Sequence, residues 1–196
     1  MKAILRSGFL ALAIMAFAVA AYAGPYEEIV AANERGDYAT ALILLRPLAE
    51  QGDADARVIL GLMHDQGRGV PQDYAKAVKW YRMAANQGHT LAQTALGLRY
   101  DQGQGVRQNH AEAVKLWRNA AENDYPLAQF FLGLNYAGEW GDPKTYVQAH
   151  MWFSIAAAQG EKAALILLDI AASKMTPDQI ADAQRMAREW MAKHQQ

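Results

Sequence analysis

The residues able to do chemistry are few, and their spacing assembles no known catalytic or metal-binding motif. Beyond residue 23 the chain has two serines, Ser154 and Ser173, and neither has a lysine three residues further on. His89, His150 and His194 have no ligand spacing, the chain has no cysteine, and no nucleophile-elbow, zinc-protease, phosphate-loop or dinucleotide motif occurs. We therefore predict no catalytic residue, no metal and no cofactor, and we expect that the chain is not an enzyme.

Any functional side chain would be positioned by elements that recur every 36 residues. Each copy reads as a helix, a glycine-rich loop, a second helix and a turn. A fixed period in this range is typical of a solenoid. We therefore predict an all-α fold of antiparallel helix pairs. The period is carried by four series of residues: Gly61, Gly97 and Gly133; Leu60, Leu96, Leu132 and Leu168; Ala41, Ala77, Ala113 and Ala149; and Ala49, Ala85, Ala121 and Ala157.

The first 23 residues have the pattern of a secretory signal peptide, with a basic start, an apolar run over 9–20 and a small-x-small site at 21–23. The apolar run is too short to span a bilayer comfortably. We predict cleavage and export, to the periplasm or as a secreted protein, without membrane insertion afterwards. The net charge of −1 and the lack of a basic block argue against a nucleic-acid partner.

The repeat register divides the remaining chain into an N-terminal capping pair of helices, full repeats and a C-terminal end. The predicted boundaries are 24–54 for the capping pair, 55–90, 91–126 and 127–162 for repeats 1 to 3, and 163–196 for a partial repeat with a capping helix. We expect Gly67 and Gly69 to adopt positive φ, Asp73 to cap a helix, and Thr176 with Gln179 to form a capping box.

The repeated motif is Leu-Gly-x-x-[Tyr/His], then Gly-x-Gly-Val, then Ala-x-x-[Trp/Leu]-[Tyr/Trp/Phe]-x-x-Ala-Ala-x-x-Gly. It resembles the Sel-one-like repeat, a relative of the tetratricopeptide repeat, over about residues 32–172. The resemblance implies a right-handed α-solenoid, a tetratricopeptide-like superhelix that acts as an adaptor in protein complexes. It also implies envelope, signalling or host-interaction roles for exported bacterial members. Some cysteine-rich members are associated with β-lactam binding, but this chain lacks those cysteines, so a hydrolase is only a remote alternative.

The chain departs from the motif at a few positions. Glu139 replaces a loop glycine and Asp124 replaces a turn glycine, which affects the loops rather than the fold. His64 and His110 stand where the other copies have tyrosine. We interpret both as histidines at the edge of the core rather than as catalytic bases.

A second stripe on the first helix of each repeat is the candidate partner-binding surface. By analogy with tetratricopeptide repeats it would line the concave face, and exposed apolar ladders mark partner sites. Apolar residues at helical spacing are also typical of a core, so burial of the stripe is the other interpretation. Trp140 lies in a loop where packing demands no aromatic, and tryptophan is frequent at binding hot spots. The candidate residues are Val58, Leu62, Thr94, Leu98, Phe130, Leu134 and Trp140.

Two functions remain open from the sequence. The first is an exported adaptor that binds a protein or peptide in the groove. The second is a module that binds an envelope glycan such as peptidoglycan, with Trp140, Tyr136 and Tyr146 as a stacking surface.

Overall fold

The computed structural model describes residues 26–138 and 143–194, and within them all regular structure is helical. This confirms the predicted all-α class. The described residues form two compact units, one ending at Ala84 and the other beginning at Ala85. The helices are α1 (Tyr26–Glu34), α2 (Tyr38–Glu50), α3 (Ala54–Gln66), α4 (Tyr74–Ala85), α5 (Thr90–Gln102), α6 (His110–Ala121), α7 (Pro126–Gly138), α8 (Pro143–Ala158), α9 (Lys162–Ala172) and α10 (Pro177–His194).

The core of the first unit joins the capping pair α1 and α2 to α3. Small alanines alternate with larger side chains, which lets the helices approach closely while filling the space between them. The helix α2 runs through Pro47 without interruption. The buried residues of this core are Tyr26, Ile29, Ala32, Ala41, Leu45, Ala49, Ala56, Leu60 and Met63.

The period glycines of the sequence each face an aromatic ring on the second helix of their own repeat. In the first unit an ideal Cβ on Gly61 would lie 2.5 Å from Cε1 of Tyr81. In the second unit a Cβ on Gly97 would lie 2.5 Å from Nε1 of Trp117. A Cβ on Gly133 would likewise lie 2.5 Å from Cδ1 of Phe153. Real Cβ contacts are never this short, so the helices can approach to this distance only where the side chain is absent.

A long polar side chain near the start of each first helix bonds to the end of the preceding second helix. Arg57 Nε donates to the carbonyl of Ala49 at 2.9 Å. Gln93 Nε2 donates to Ala85 at 3.4 Å, and Gln129 Nε2 donates to Ala121 at 3.5 Å. The last four carbonyls of a helix lack partners within that helix. Each of these three carbonyls also accepts from the backbone amide three residues further on, so the side chain, eight residues further on each time, adds a second bond.

The loop between the two helices of a repeat is built twice in the same way. Gly67 and Gly69 have φ of 69° and 70°, and their counterparts Gly103 and Gly105 have 67° and 70°, as predicted for this loop. Gln72 Nε2 donates to the Asp65 carbonyl at 2.8 Å, and the equivalent glutamine in the second loop donates at 2.7 Å. The predicted cap is also present, because Asp73 Oδ1 accepts from the Lys76 amide at 3.0 Å. The third loop, with Glu139, lies outside the described residues.

The second unit ends with α9 and α10, which both pack against α8. Trp152 of α8 and Trp190 of α10 meet edge to face with ring centroids 5.7 Å apart. The predicted capping box begins α10: Thr176 N donates to Gln179 Oε1 at 2.8 Å, and Gln179 N donates back to Thr176 Oγ1 at 3.3 Å. Within the described residues, no helix is long and apolar enough to cross a bilayer.

Candidate partner-binding surfaces

The stripe proposed from the sequence is mostly core. Leu98 and Thr94 are fully buried at 0 % exposure, and every residue of α5 from Leu91 to Arg99 is buried. A helix enclosed on all sides has no free face to offer a partner. The prediction that the stripe forms an exposed groove is therefore wrong at five positions, which are Val58, Leu62, Thr94, Leu98 and Phe130. The burial interpretation, which the sequence left open, holds for them.

Leu134 is the member of the stripe that keeps accessible surface among the described residues. It is half-buried, as are Asn135, Tyr136 and Ala137 after it, and Gly138 at the end of α7 is exposed. The last turn of α7 therefore presents an apolar and aromatic patch to solvent. Trp140, the remaining candidate, lies outside the described residues.

His64 and His110, the two histidines that stand in place of a tyrosine, have different surroundings. His64 is half-buried, in line with its prediction as a core-edge residue, and burial lowers its pKa. The same prediction for His110 is wrong, because its side chain is 64 % exposed. His110 begins α6 and its Nδ1 lies 2.9 Å from Oδ1 of Asp101. This short contact links the first residue of α6 to α5, which explains a polar residue at this position.

The two serines have local structural partners. Ser154 donates to the carbonyl of His150 at 2.8 Å, and its Oγ lies 3.3 Å from the ring Nδ1 of that residue. Ser173 donates to the carbonyl of Ile170 at 2.8 Å. Such bonds to the preceding turn hold a hydroxyl against its own helix. Among the residues that the structure describes, no group of three or more acidic or histidine side chains could hold a metal.

The large apolar side chains that are exposed within residues 26–138 and 143–194 were not among the sequence candidates. Leu165, Ile166 and Ile170 of α9 are 53 %, 67 % and 41 % exposed, and Ile43 of α2 is 73 % exposed on its own. By the 36-residue register Ile166 and Ile170 continue the stripe of Phe130 and Leu134. The stripe is thus buried in the second repeat, half-buried at the end of the third, and exposed in the partial fourth copy. Asp169 in place of the period glycine is the sequence signal that marks this change.

The fold and these surfaces define a class of protein: an α-helical repeat protein with an apolar surface at its C-terminal end. The family model for the Sel1 repeat matches four segments, residues 34–53, 54–89, 90–125 and 126–161. The chain therefore belongs to the Sel1 repeat family, as its motif predicted. Sel1 repeat solenoids commonly mediate protein–protein interaction and are typically non-catalytic scaffolds.

The chain is similar to solved structures of other repeat proteins, among them the following two. A Sel1 repeat protein from Oxalobacter formigenes is 29 % identical with a TM-score of 0.67, over 83 % of this chain and 69 % of that protein. The protein c5321, a protective antigen of uropathogenic Escherichia coli strains with an SLR fold, is 28 % identical with a TM-score of 0.59. That match covers 79 % of this chain but 41 % of the antigen, so the chain spans less than half its length. No curated protein matches the chain.

Proposed function

We propose that this chain is an exported scaffold that binds a protein or peptide partner, and that the last turn of α7 is part of its binding surface. Membership of the Sel1 repeat family supports the scaffold role, and the pattern of residues 1–23 supports export to the periplasm or beyond. The observation that carries the surface is the partial exposure of Leu134, whose counterpart Leu98 is fully buried.

The surface suits a protein partner in its composition. Leu134 and Tyr136 supply an aliphatic and an aromatic side chain. Aromatic residues are enriched at the hot spots that contribute most of the binding energy of an interface. The loop that follows carries Trp140, which we include in the proposed surface on the basis of the sequence. A side chain that is already half-buried loses little conformational entropy on binding, which favours its use as an anchor.

Site-specific photo-crosslinking tests this surface in cells that express the complete coding sequence. A photoreactive residue is placed at Leu134 or Tyr136, and the matched control is placed at Arg118, an exposed position on α6. We expect both α7 positions to give the same adduct with a second protein, and the α6 position to give none. Adducts that are identical at all three positions, or absent from α7, would contradict the proposed surface.

A single substitution, Leu134→Ser, separates an effect on binding from an effect on folding. Leu134→Ser should lower the melting temperature less than Leu98→Ser does, because Leu134 keeps accessible surface and Leu98 has none, and it should lose the adduct formed from position 136. Co-sedimentation with peptidoglycan is measured beside it. Retention on peptidoglycan that is lost in Leu134→Ser would favour the glycan-binding function and count against a protein partner.

A further inference from the structure

The helix α9 presents one continuous exposed face with an apolar centre. Its exposed residues recur at three- and four-residue steps, so they lie along one side of the helix. Three of the six are large aliphatic side chains, and clustered exposed apolar surface marks an interaction site. The exposed residues are Lys162, Leu165, Ile166, Asp169 and Ile170 of the helix and Ser173, its C-terminal cap.

The repeat register explains why this face is open. Asp169 stands where Gly133 stands in the preceding copy, and Gly133 is the position at which Phe153 reaches the backbone of α7. A glycine is needed for that approach, since a Cβ would lie 2.5 Å from the ring. An aspartate at this point excludes an aromatic ring, so the fourth copy cannot close in the same way. The terminal helix α10 packs on α8, and the Asp169 side of α9 stays exposed.

The charges on this face are arranged symmetrically about the apolar pair. Lys162 is three residues before Leu165, and Asp169 is three residues after Ile166. Seven residues of helix separate the two charges by about 10 Å along the axis, which is too far for a contact between them. When two such helices pack antiparallel across Leu165 and Ile166, however, Lys162 of each copy lies opposite Asp169 of the other. The face is therefore complementary to itself in charge at these two positions.

We propose that a second copy of this chain covers the α9 face, in a two-fold antiparallel contact between the two α9 helices. Such a contact is isologous, with the same patch used on both sides, which is the commonest arrangement in homo-oligomers. One helix face supplies much less than the ~800 Å² per partner of a standard interface. The dimer therefore forms reversibly and depends on concentration. This proposal is independent of the α7 surface, which uses other residues.

Sedimentation equilibrium of the protein purified from cells that express the complete coding sequence measures the dimer directly. Ile166→Glu places an acidic group at the centre of the contact and is expected to weaken dimerisation at least tenfold. The matched control is Ile43→Glu, which changes an equally exposed isoleucine on α2 and is expected to leave dimerisation unchanged. A parent protein that stays monomeric at the highest soluble concentration overturns the proposal and assigns the face to a helix of another protein. A dimer that survives Ile166→Glu overturns it as well.

Charge exchange tests the antiparallel register without touching the apolar residues. Lys162→Glu places two acidic groups opposite each other, and Asp169→Lys places two basic groups opposite each other, so each single variant should dimerise less than the parent. The double variant should dimerise like the parent. An equimolar mixture of the two single variants should form a heterodimer, because both pairs then have opposite charges. Failure of the mixture to associate overturns the register, and circular dichroism confirms that each variant is folded.

Discussion

The close contact between Gly97 and Trp117 predicts that a single methyl group on α5 destabilises the protein. In Gly97→Ala the new Cβ would lie 2.5 Å from Nε1 and 2.8 Å from Cδ1 of the indole ring. The ring would have to retreat by about 1 Å to restore van der Waals contact at ~3.5 Å. It is 3 % exposed, its Nε1 donates to the Thr94 carbonyl at 3.2 Å, and it stacks on Phe131 at 5.2 Å. It therefore has little freedom to move.

The expected cost follows from two opposing terms. Overpacking a well-packed core typically costs ~1–3 kcal/mol. Alanine in place of glycine within a helix contributes ~0.5–1 kcal/mol in the opposite direction. The net loss should be about 1 kcal/mol and at most about 2.5 kcal/mol, and each kcal/mol corresponds to a drop of roughly 2–4 °C in melting temperature for a chain of this size. Gly97→Leu adds a larger side chain to the same space and should cost more.

Urea and thermal unfolding, followed by far-ultraviolet circular dichroism, measure the loss. The matched control is Gly138→Ala at the end of α7, where none of the described residues lies within 4 Å of the added Cβ, so stability should stay the same or rise slightly. In a Trp117→Leu background the space opens, and the penalty of Gly97→Ala should disappear. If Gly97→Ala melts at or above the temperature of the parent, the close-packing argument is wrong.

Three further changes are expected to act through buried groups. Leu98→Ser, at a fully buried position, should lower the free energy of unfolding in urea by ~2–5 kcal/mol. An unchanged midpoint would show that Leu98 is not a core residue and would support the exposed groove. Gln129→Met should cost ~0.5–1.5 kcal/mol, because the Ala121 carbonyl loses one of its two bonds and the Gln159 amide loses its bond to the Gln129 side chain; equal stability in urea would show that these bonds contribute nothing. Burial lowers the pKa of His150 below its usual 6.5, so its neutral form contributes stability that is present above pH 6.5 and is lost as the pH falls below it. The slope of melting temperature against pH below 6.5 should therefore be shallower in His150→Gln, and an identical slope would exclude this residue as the cause.

Much of the fold could be predicted because the repeat applies the same physical constraint several times. A glycine that recurs in register with an aromatic residue twenty positions later indicates a close helix contact, and Gly61 with Tyr81 and Gly97 with Trp117 have that geometry. The capping box at Thr176 is a local arrangement, so the sequence around it suffices. The bonds from Arg57, Gln93 and Gln129 could not be anticipated in the same way. Their side chains differ in type between copies, and only the backbone geometry shows that they reach equivalent carbonyls.

The candidate surface was harder to predict because periodicity reports a face of a helix and not what covers that face. Leu98 and Leu134 have the same place in the repeat, yet one is fully buried and the other retains accessible surface. Burial on α5 continues from Leu91 to Arg99, whereas burial on α7 ends at Gly133. The same apolar stripe can therefore be core in one copy and surface in the next.

The end of the array follows from the same constraint. Closing a repeat requires a glycine under the aromatic ring and a polar side chain that reaches the previous helix, and the fourth copy has lost both. Asp169 stands at the glycine position, and Leu165 stands at the position of Gln129, where it is 53 % exposed rather than bonded to a carbonyl. Apolar residues that served packing in earlier copies remain on α9, so the loss of closure converts core positions into surface. A solenoid that ends in this way needs a cover for the exposed face, because exposed apolar surface is otherwise a liability for solubility. The balanced charges of Lys162 and Asp169 fit a cover by a second copy, and they restrict it to one antiparallel register.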